Sequence, residues 1–276
     1  MKAIHFQNAD GEPRLGLLDG DQVIDAGPAP AAGFDGSTHA WEQVAGASGA
    51  SVPLSSVTIL PPVRPSKILA IGLNYRSHVE ETNLQHPDSP VVFAKFPSSI
   101  IASGQQIVIP REETRPDFEG EIAVIVSKRG YRIALEDAWD YVGGFTALHD
   151  VSGRRAQLET PMRQFTVGKS FDTFTPLGPV VASLDSVDRE AIGVMTTING
   201  EVMQKGNSRD LIFSIPELLE YLSRGITLEP GDVIATGTPG GVGDERKPPR
   251  YLREGDVVEI TVDGVGTLSN PVVKES

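Results

Sequence analysis

From Lys67 onward this chain is a succession of short β-type runs, at 68–71, 91–95, 106–109, 121–126, 180–182, 232–235, 257–262 and 266–268, broken by Pro-Gly, Glu-Gly and Asp-Gly pairs. A chain patterned this way is mostly β with some α, an α+β protein. Its clearest helix is 215–223, opened by Ser214 with Glu217 three residues later as a capping box and closed by Gly225. A second helix is expected to begin near Tyr75 and to carry His78 and Glu81. Shorter ones are expected around 39–45 and 135–140. No solenoid or propeller period is visible.

Ahead of Lys67 the pattern differs. Residues 1–26 read as a small meander, with strands at 2–6, 14–18 and 22–24 separated by Asp10-Gly11 and Asp19-Gly20 turns. A stretch rich in Ala, Gly, Ser and Pro follows and closes on Pro61-Pro62 and Pro65. The boundary placed there divides the chain into a small N-terminal domain, 1–64, and a large catalytic domain, 65–276. With 276 residues the chain can bury roughly three quarters of its unfolded surface, enough for that arrangement.

Function is written most clearly in Arg115-Pro-Asp-Phe-Glu119-Gly-Glu121, which runs into apolar Ile122 to Val126. Strand side chains alternate faces, so Glu119 and Glu121 share one and Gly120 takes the other. Burying both as unpaired anions costs several kcal/mol, and the local sequence offers neither an obvious Lys or Arg on that face. A hard divalent cation resolves the conflict. Asp150 ends the apolar run 141–150 and is the third candidate ligand. Three carboxylates, with water at the remaining positions, suit Mg²⁺ or Mn²⁺.

Other candidates surround this triad in sequence. His78 and Glu81 lie three apart, one helical face, where the carboxylate can orient the imidazole as a general base. Arg154 and Gln157, just behind Asp150, suit an anionic or ketonic substrate. Lys169 sits among small and apolar residues, where a lysine can stabilise an enolate. The run 236–243 is glycine-rich but lacks the Lys-Ser/Thr ending of a phosphate loop, leaving its amides and Thr238 free to cradle a substrate oxygen. There is no Gly-x-Ser-x-Gly elbow. His5, His39, His86 and His149 are assigned structural or surface roles.

Composition narrows the classes further. The chain has no cysteine, which excludes disulfides, thiolate nucleophiles and iron-sulfur clusters. A formal charge of -13 argues against a nucleic-acid partner. No apolar run reaches membrane-spanning length, and the first ten residues lack the apolar core of a secretory signal, so the expected location is cytoplasmic.

Taken in order, NYRSHVEE, PVVFAKFPSSI, DFEGEIAVI, HDVSGRRAQ, GKSFDTFTPLGP, GNSRDLIFSIPELL, GDVIATGTPGGVG and GDVVEITVDGVGTLSNPV resemble the fumarylacetoacetate hydrolase family from about residue 66 to the C-terminus. The resemblance implies a mixed β-roll catalytic domain with a small N-terminal domain, a homodimer, and Mg²⁺ or Mn²⁺ at the positions of Glu119, Glu121 and Asp150. It further implies that Lys169 and Thr173 lie beside the metal, that His78 and Glu81 form a water-activating pair on a mobile lid, and that Arg154, Gln157 and Thr238 contact substrate. Two departures stand out: Arg155 where the family commonly has Asp, which makes the local charge more positive, and Gly153 where Ala is frequent, which loosens the turn.

The leading expectation is hydrolytic C–C cleavage of a 3-acylpyruvate or related β-diketo acid through an enolate held by the metal, the substrate being a small anionic keto acid. Oxaloacetate decarboxylation and isomerisation of 2-hydroxyhepta-2,4-diene-1,7-dioate use the same groups and are the enzymatic alternatives. A metal-binding interaction module without catalysis is the non-enzymatic one.

Overall fold

The computed structural model describes residues 1–82 and 84–276. Strands dominate, as the pattern of short β-type runs predicts. The strands Val91–Lys95 and Val257–Val262 form at the expected bounds, and most others extend a few residues beyond them. The strands Gly193–Ile198 and Glu201–Asn207, absent from the sequence reading, complete a hairpin. The helices form at Thr38–Ala45, Arg76–Thr82 and Ile215–Ser223, the last with both hydrogen bonds of its Ser214/Glu217 capping box. The segment Leu135–Tyr141 closes as a 3-10 helix rather than an α-helix.

Twelve strands among the described residues make one large sheet. Its centre is formed by Gly120–Val126 and Val142–His149, antiparallel neighbours with every residue buried. Val233–Ala235 flanks the first of these and pairs in parallel with Ile68–Gly72. Thr175–Ala182 flanks the second, and its outer edge pairs with Lys2–Gln7. The N-terminal meander, Lys2–Gln7, Pro13–Asp19 and Gln22–Pro28, therefore continues the same sheet that carries the central strands.

Alternation along the central strand explains why the large sheet is covered on both faces. Ile122, Val124 and Val126 belong to one apolar cluster, whereas Ala123 and Ile125 belong to the other. A second sheet, in the order Glu201–Asn207, Gly193–Ile198, Val257–Val262, Gly266–Lys274, Ile107–Ile109, packs on the first face. The approach is close: a Cβ at Gly120 would lie 2.2 Å from Thr196 Oγ1, which is why glycine separates the two glutamates. The helix Thr38–Ala45 supplies Ala40 and Val44 to the opposite cluster, and Trp41 Nε1 donates to the Gly143 carbonyl at 2.7 Å. Each fully buried Ile, Val or Phe contributes about 1.5–3 kcal/mol, so this double cover holds the central pair rigidly. Glu119, Glu121 and Asp150 stand at the ends of these two strands.

Candidate metal centre and cavity

Glu119 and Glu121 flank Gly120, and Asp150 follows the last residue of the neighbouring strand. The two strands are in register there, with Gly120 opposite His149 and the Asp150 N–H donating to the Glu119 carbonyl at 2.8 Å. One carboxylate oxygen from each of Glu119, Glu121 and Asp150 lies within 4.8 Å of the other two, and all three residues are buried. Glu119 and Glu121 thus share one face, and the third carboxylate arrives across the ladder.

The structure corrects one premise of the sequence reading: Glu119 is not without cations. Lys169 Nζ donates to Glu119 Oε2, Asp150 Oδ2 and Ser152 Oγ, each at 2.7 Å. Arg154 donates to Glu119 Oε1 at 2.6 Å and, through Nε, to Asp117 Oδ2 at 2.9 Å. Lys95, also fully buried, donates to Asp150 Oδ1 at 2.6 Å and to the Lys169 carbonyl. These bonds join residues 17 to 74 positions apart along the chain, so no local window contains the whole set.

Glu121 is treated differently. Its recorded donor is the Gly237 N–H, 2.7 Å from Oε2. Burial, followed by the Asp150 and Glu119 carboxylates, pushes its carboxyl well above the ordinary range. Burial acts on Glu119 in the same sense, but Lys169 and Arg154 outweigh it and hold that carboxyl below the ordinary range. Lys169 is raised despite its burial by Asp150 and Glu119, whereas burial lowers Lys95. Four buried carboxylates, Asp117 included, face three cations, and the one left short of positive charge is Glu121. A buried, donor-poor carboxyl converging with two others fits a hard divalent cation, which would hold it as the carboxylate.

A cavity of about 300 Å³ opens beside the triad, and His78, Glu119, Arg154, Gln157, Lys169 and Thr238 all lie in its wall. His78 Nδ1 and Glu81 Oε1 are 2.7 Å apart. That contact places the proton on Nδ1 and leaves Nε2 as the basic nitrogen. Gln157 Oε1 accepts from Arg154 at 2.9 Å, and Lys169 Nζ lies 5.2 Å from the Phe93 ring centroid.

The glycine-rich run cradles the protein's own anions. Gly237 donates to Glu121, Gly241 to Glu81, and Gly243 and Asp244 to Asp117, with distances of 2.7, 2.7, 2.7 and 3.1 Å. Gly237 and Gly241 have φ of 103° and 102°, a region open to glycine. Thr238 Oγ1 donates to the Gly120 carbonyl and accepts from Gln204 Nε2. Gln204 Oε1 in turn accepts from Gly120 N–H and Thr196 Oγ1, so a single amide joins the second sheet to the loop.

The Thr173 hydroxyl accepts from the Val108 N–H at 2.8 Å, on the strand Ile107–Ile109. Two expectations are revised. Arg155 is exposed and turned to Glu159 and the Glu112 carbonyl, outside the cavity wall, so its charge does not act on the site by contact. Gly153 tightens its turn, since a Cβ there would lie 2.6 Å from Glu113 Oε2, and that carboxylate accepts from the Arg155 and Ala156 N–H groups at the start of the next helix.

Sequence reasoning missed Lys95, Asp117 and Gln204. Asp117 left a signal, because it shares the odd parity of Glu119 and Glu121. Lys95 left a weaker one as the charged last residue of an apolar run ahead of Phe96-Pro97. Gln204 left none, its strand being unread.

Comparison with known proteins agrees with this architecture. The model of the fumarylacetoacetate hydrolase C-terminal domain matches residues 67–273. An oxaloacetate tautomerase, YisK, of Bacillus subtilis is 46% identical over 79% of this chain and 74% of its own length. The mitochondrial oxaloacetate tautomerase fahd2 of Xenopus laevis is 38% identical over 99% of this chain and 90% of its own. Among solved structures, a fumarylacetoacetate hydrolase from Exiguobacterium antarcticum superposes with a TM-score of 0.85 at 33% identity, covering 100% of both chains. A 5-carboxymethyl-2-hydroxymuconate delta-isomerase from Mycobacterium smegmatis does so with a TM-score of 0.82 at 33% identity, again covering 100% of both.

Proposed function

The chain belongs to the fumarylacetoacetate hydrolase family, and from that premise we propose that it is a divalent-metal-dependent enzyme interconverting the keto and enol forms of a small 2-oxo dicarboxylic acid of the oxaloacetate type. The observation that carries this reading is the His78–Glu81 pair, with His78 Nε2 as the base, in the wall of a cavity that also holds the Lys169 ammonium and the Arg154 guanidinium. A base facing two cations is the minimum apparatus for moving a proton α to a carbonyl. A volume of about 300 Å³ has room for a four-carbon diacid.

Glu119, Glu121 and Asp150 would hold the Mg²⁺ or Mn²⁺, which would supply Lewis-acid polarisation of a 2-oxo carboxylate. His78 Nε2 takes a proton from the carbon beside the carbonyl. Glu81, bonded to Nδ1–H, stabilises the imidazolium that results. The electron pair left by that proton moves onto the carbonyl oxygen, where the field of Lys169 and Arg154, which stay bonded to Glu119, Asp150 and Asp117, offsets the developing charge. Returning the proton to oxygen yields the enol, and returning it to carbon yields the ketone.

Hydrolytic C–C cleavage uses the same pair to deprotonate water, and decarboxylation uses the same cations. Proton transfer alone is favoured because relatives at 38% to 46% identity are named oxaloacetate tautomerases and a structural neighbour is named an isomerase. Freshly dissolved enol-oxaloacetate, followed by its ultraviolet absorbance with Mg²⁺-loaded protein, is expected to ketonise faster than in buffer, with the gain lost in His78→Ala. Decay at the buffer rate, together with cleavage of acetylpyruvate or fumarylpyruvate, would return the assignment to hydrolysis.

A further inference from the structure

Three cations line the cavity wall, and the protein's own carboxylates engage two of them. Arg154 is committed to Asp117 and Glu119, and Lys169 to Glu119 and Asp150. The third, Arg163, forms no ion pair and donates no side-chain hydrogen bond among the described residues. Glu245 lies in the same wall and is not paired with it.

Arg163 belongs to the turn that joins the helices Arg154–Leu158 and Phe165–Gly168. Its φ is 47°, a left-handed conformation that a residue with a Cβ seldom adopts. The turn is pinned on both sides of it: the Arg163 N–H donates to the Thr160 carbonyl at 3.2 Å and the Gln164 N–H to the Gln157 carbonyl at 2.9 Å. Arg163 is exposed, and Leu84, Leu158 and Phe165 lie in the same wall. Arg presents a rigid fork of donors matched to a carboxylate, and here the fork has no protein partner.

A diacid in this cavity brings a second carboxylate that also needs a cation. Arg154 and Lys169 can serve it only by leaving buried carboxylates unpaired, which is costly. We propose that Arg163 is the specificity-determining residue that binds the carboxylate remote from the 2-oxo acid end, so that the site selects dicarboxylic over monocarboxylic substrates. This rests on reading the cavity as a 2-oxo acid site.

Malate and lactate differ by that remote carboxylate, and neither can enolise. Calorimetric titration of the Mg²⁺-loaded full chain is expected to show tighter binding of malate than of lactate. Arg163→Ala should weaken malate about ten- to hundredfold, the worth of a charge-assisted contact, and leave lactate unchanged. Arg163→Lys should recover part of the loss, and in turnover Arg163→Ala should raise KM for oxaloacetate far more than it lowers kcat. Equal affinities in the unmodified protein, or malate binding insensitive to Arg163→Ala, overturn the proposal. If the malate preference depends on Arg163 but oxaloacetate is not turned over, the tautomerase reading alone fails. If oxaloacetate is turned over and malate binding ignores Arg163, the anchor alone fails.

Discussion

Gly241 donates its backbone N–H to Glu81 Oε2 at 2.7 Å, while the other oxygen of that carboxylate meets His78. The loop that wraps the buried anions therefore also sets the orientation of the base. Because Gly241 holds φ 102° and a Cβ there would lie 2.4 Å from the Met203 carbonyl, Gly241→Ala must displace the loop. We expect it to destabilise the fold by about 1–3 kcal/mol and to lower turnover more than His-independent binding of Mg²⁺. Thermal melts beside kinetics test this, and unchanged kcat in a folded variant contradicts the link.

His78→Ala should lower turnover by roughly 10²–10⁴ and leave divalent-cation affinity unchanged, because the imidazole is bonded to Glu81 and not to the triad. Glu81→Gln should fall between that variant and the unmodified protein. Loss of metal binding in His78→Ala, read by calorimetry, would reassign the residue as a ligand.

Glu121 makes a test of the metal site that does not depend on activity. Its raised pKa means that, without a cation, burial and the neighbouring carboxylates favour the protonated form, which Gln imitates. Metal-free Glu121→Gln should be at least as stable as the unmodified protein, yet gain no Tm when Mg²⁺ or Mn²⁺ is added. The unmodified protein should gain Tm with cation concentration and lose it to chelator. A Gln variant that still gains Tm removes Glu121 from the site.

Lys95→Met should cost about 3–5 kcal/mol in urea unfolding, since it deprives the buried Asp150 Oδ1 of its donor. The matched double variant Lys95→Met, Asp150→Asn should recover part of that loss. A single variant as stable as the parent would show that Lys95 does not compensate Asp150.

His5 gives a pH effect far from the site. Burial lowers its pKa below the ordinary 6.5, with the Pro61 carbonyl opposing and Arg64 reinforcing the shift. The unfolded chain takes up the proton as pH falls below 6.5, and the folded chain does so only further down. Stability from this group is therefore present above 6.5 and drains away as pH drops toward the folded value. His5→Gln should flatten Tm against pH across that interval, whereas an unaltered profile would show that burial does not shift the ring's pKa.

The sequence by itself determined what depends on periodicity of two and on local turn chemistry. The alternation of Glu119, Gly120 and Glu121 placed two carboxylates on one face, the spacing of His78 and Glu81 made them neighbours on a helix, and the Ser214/Glu217 box opened the helix that follows. The order of the motifs was sufficient to identify the family, now matched over 67–273.

Only the tertiary structure decided how the charges balance. Lys95, Arg154 and Lys169 reach the acidic strand ends from other segments, so the compensation of Glu119 and Asp150, and the standing of Glu121 as the buried carboxylate left over, arise from sheet order rather than from neighbours in sequence. Thr173 went to Val108 and Arg155 to the surface for the same reason: motif position fixes where a residue lies along the chain, while packing fixes what its side chain meets. Coulomb attraction and hydrogen bonding act across a few ångströms of space, and separation along the chain carries no record of that distance.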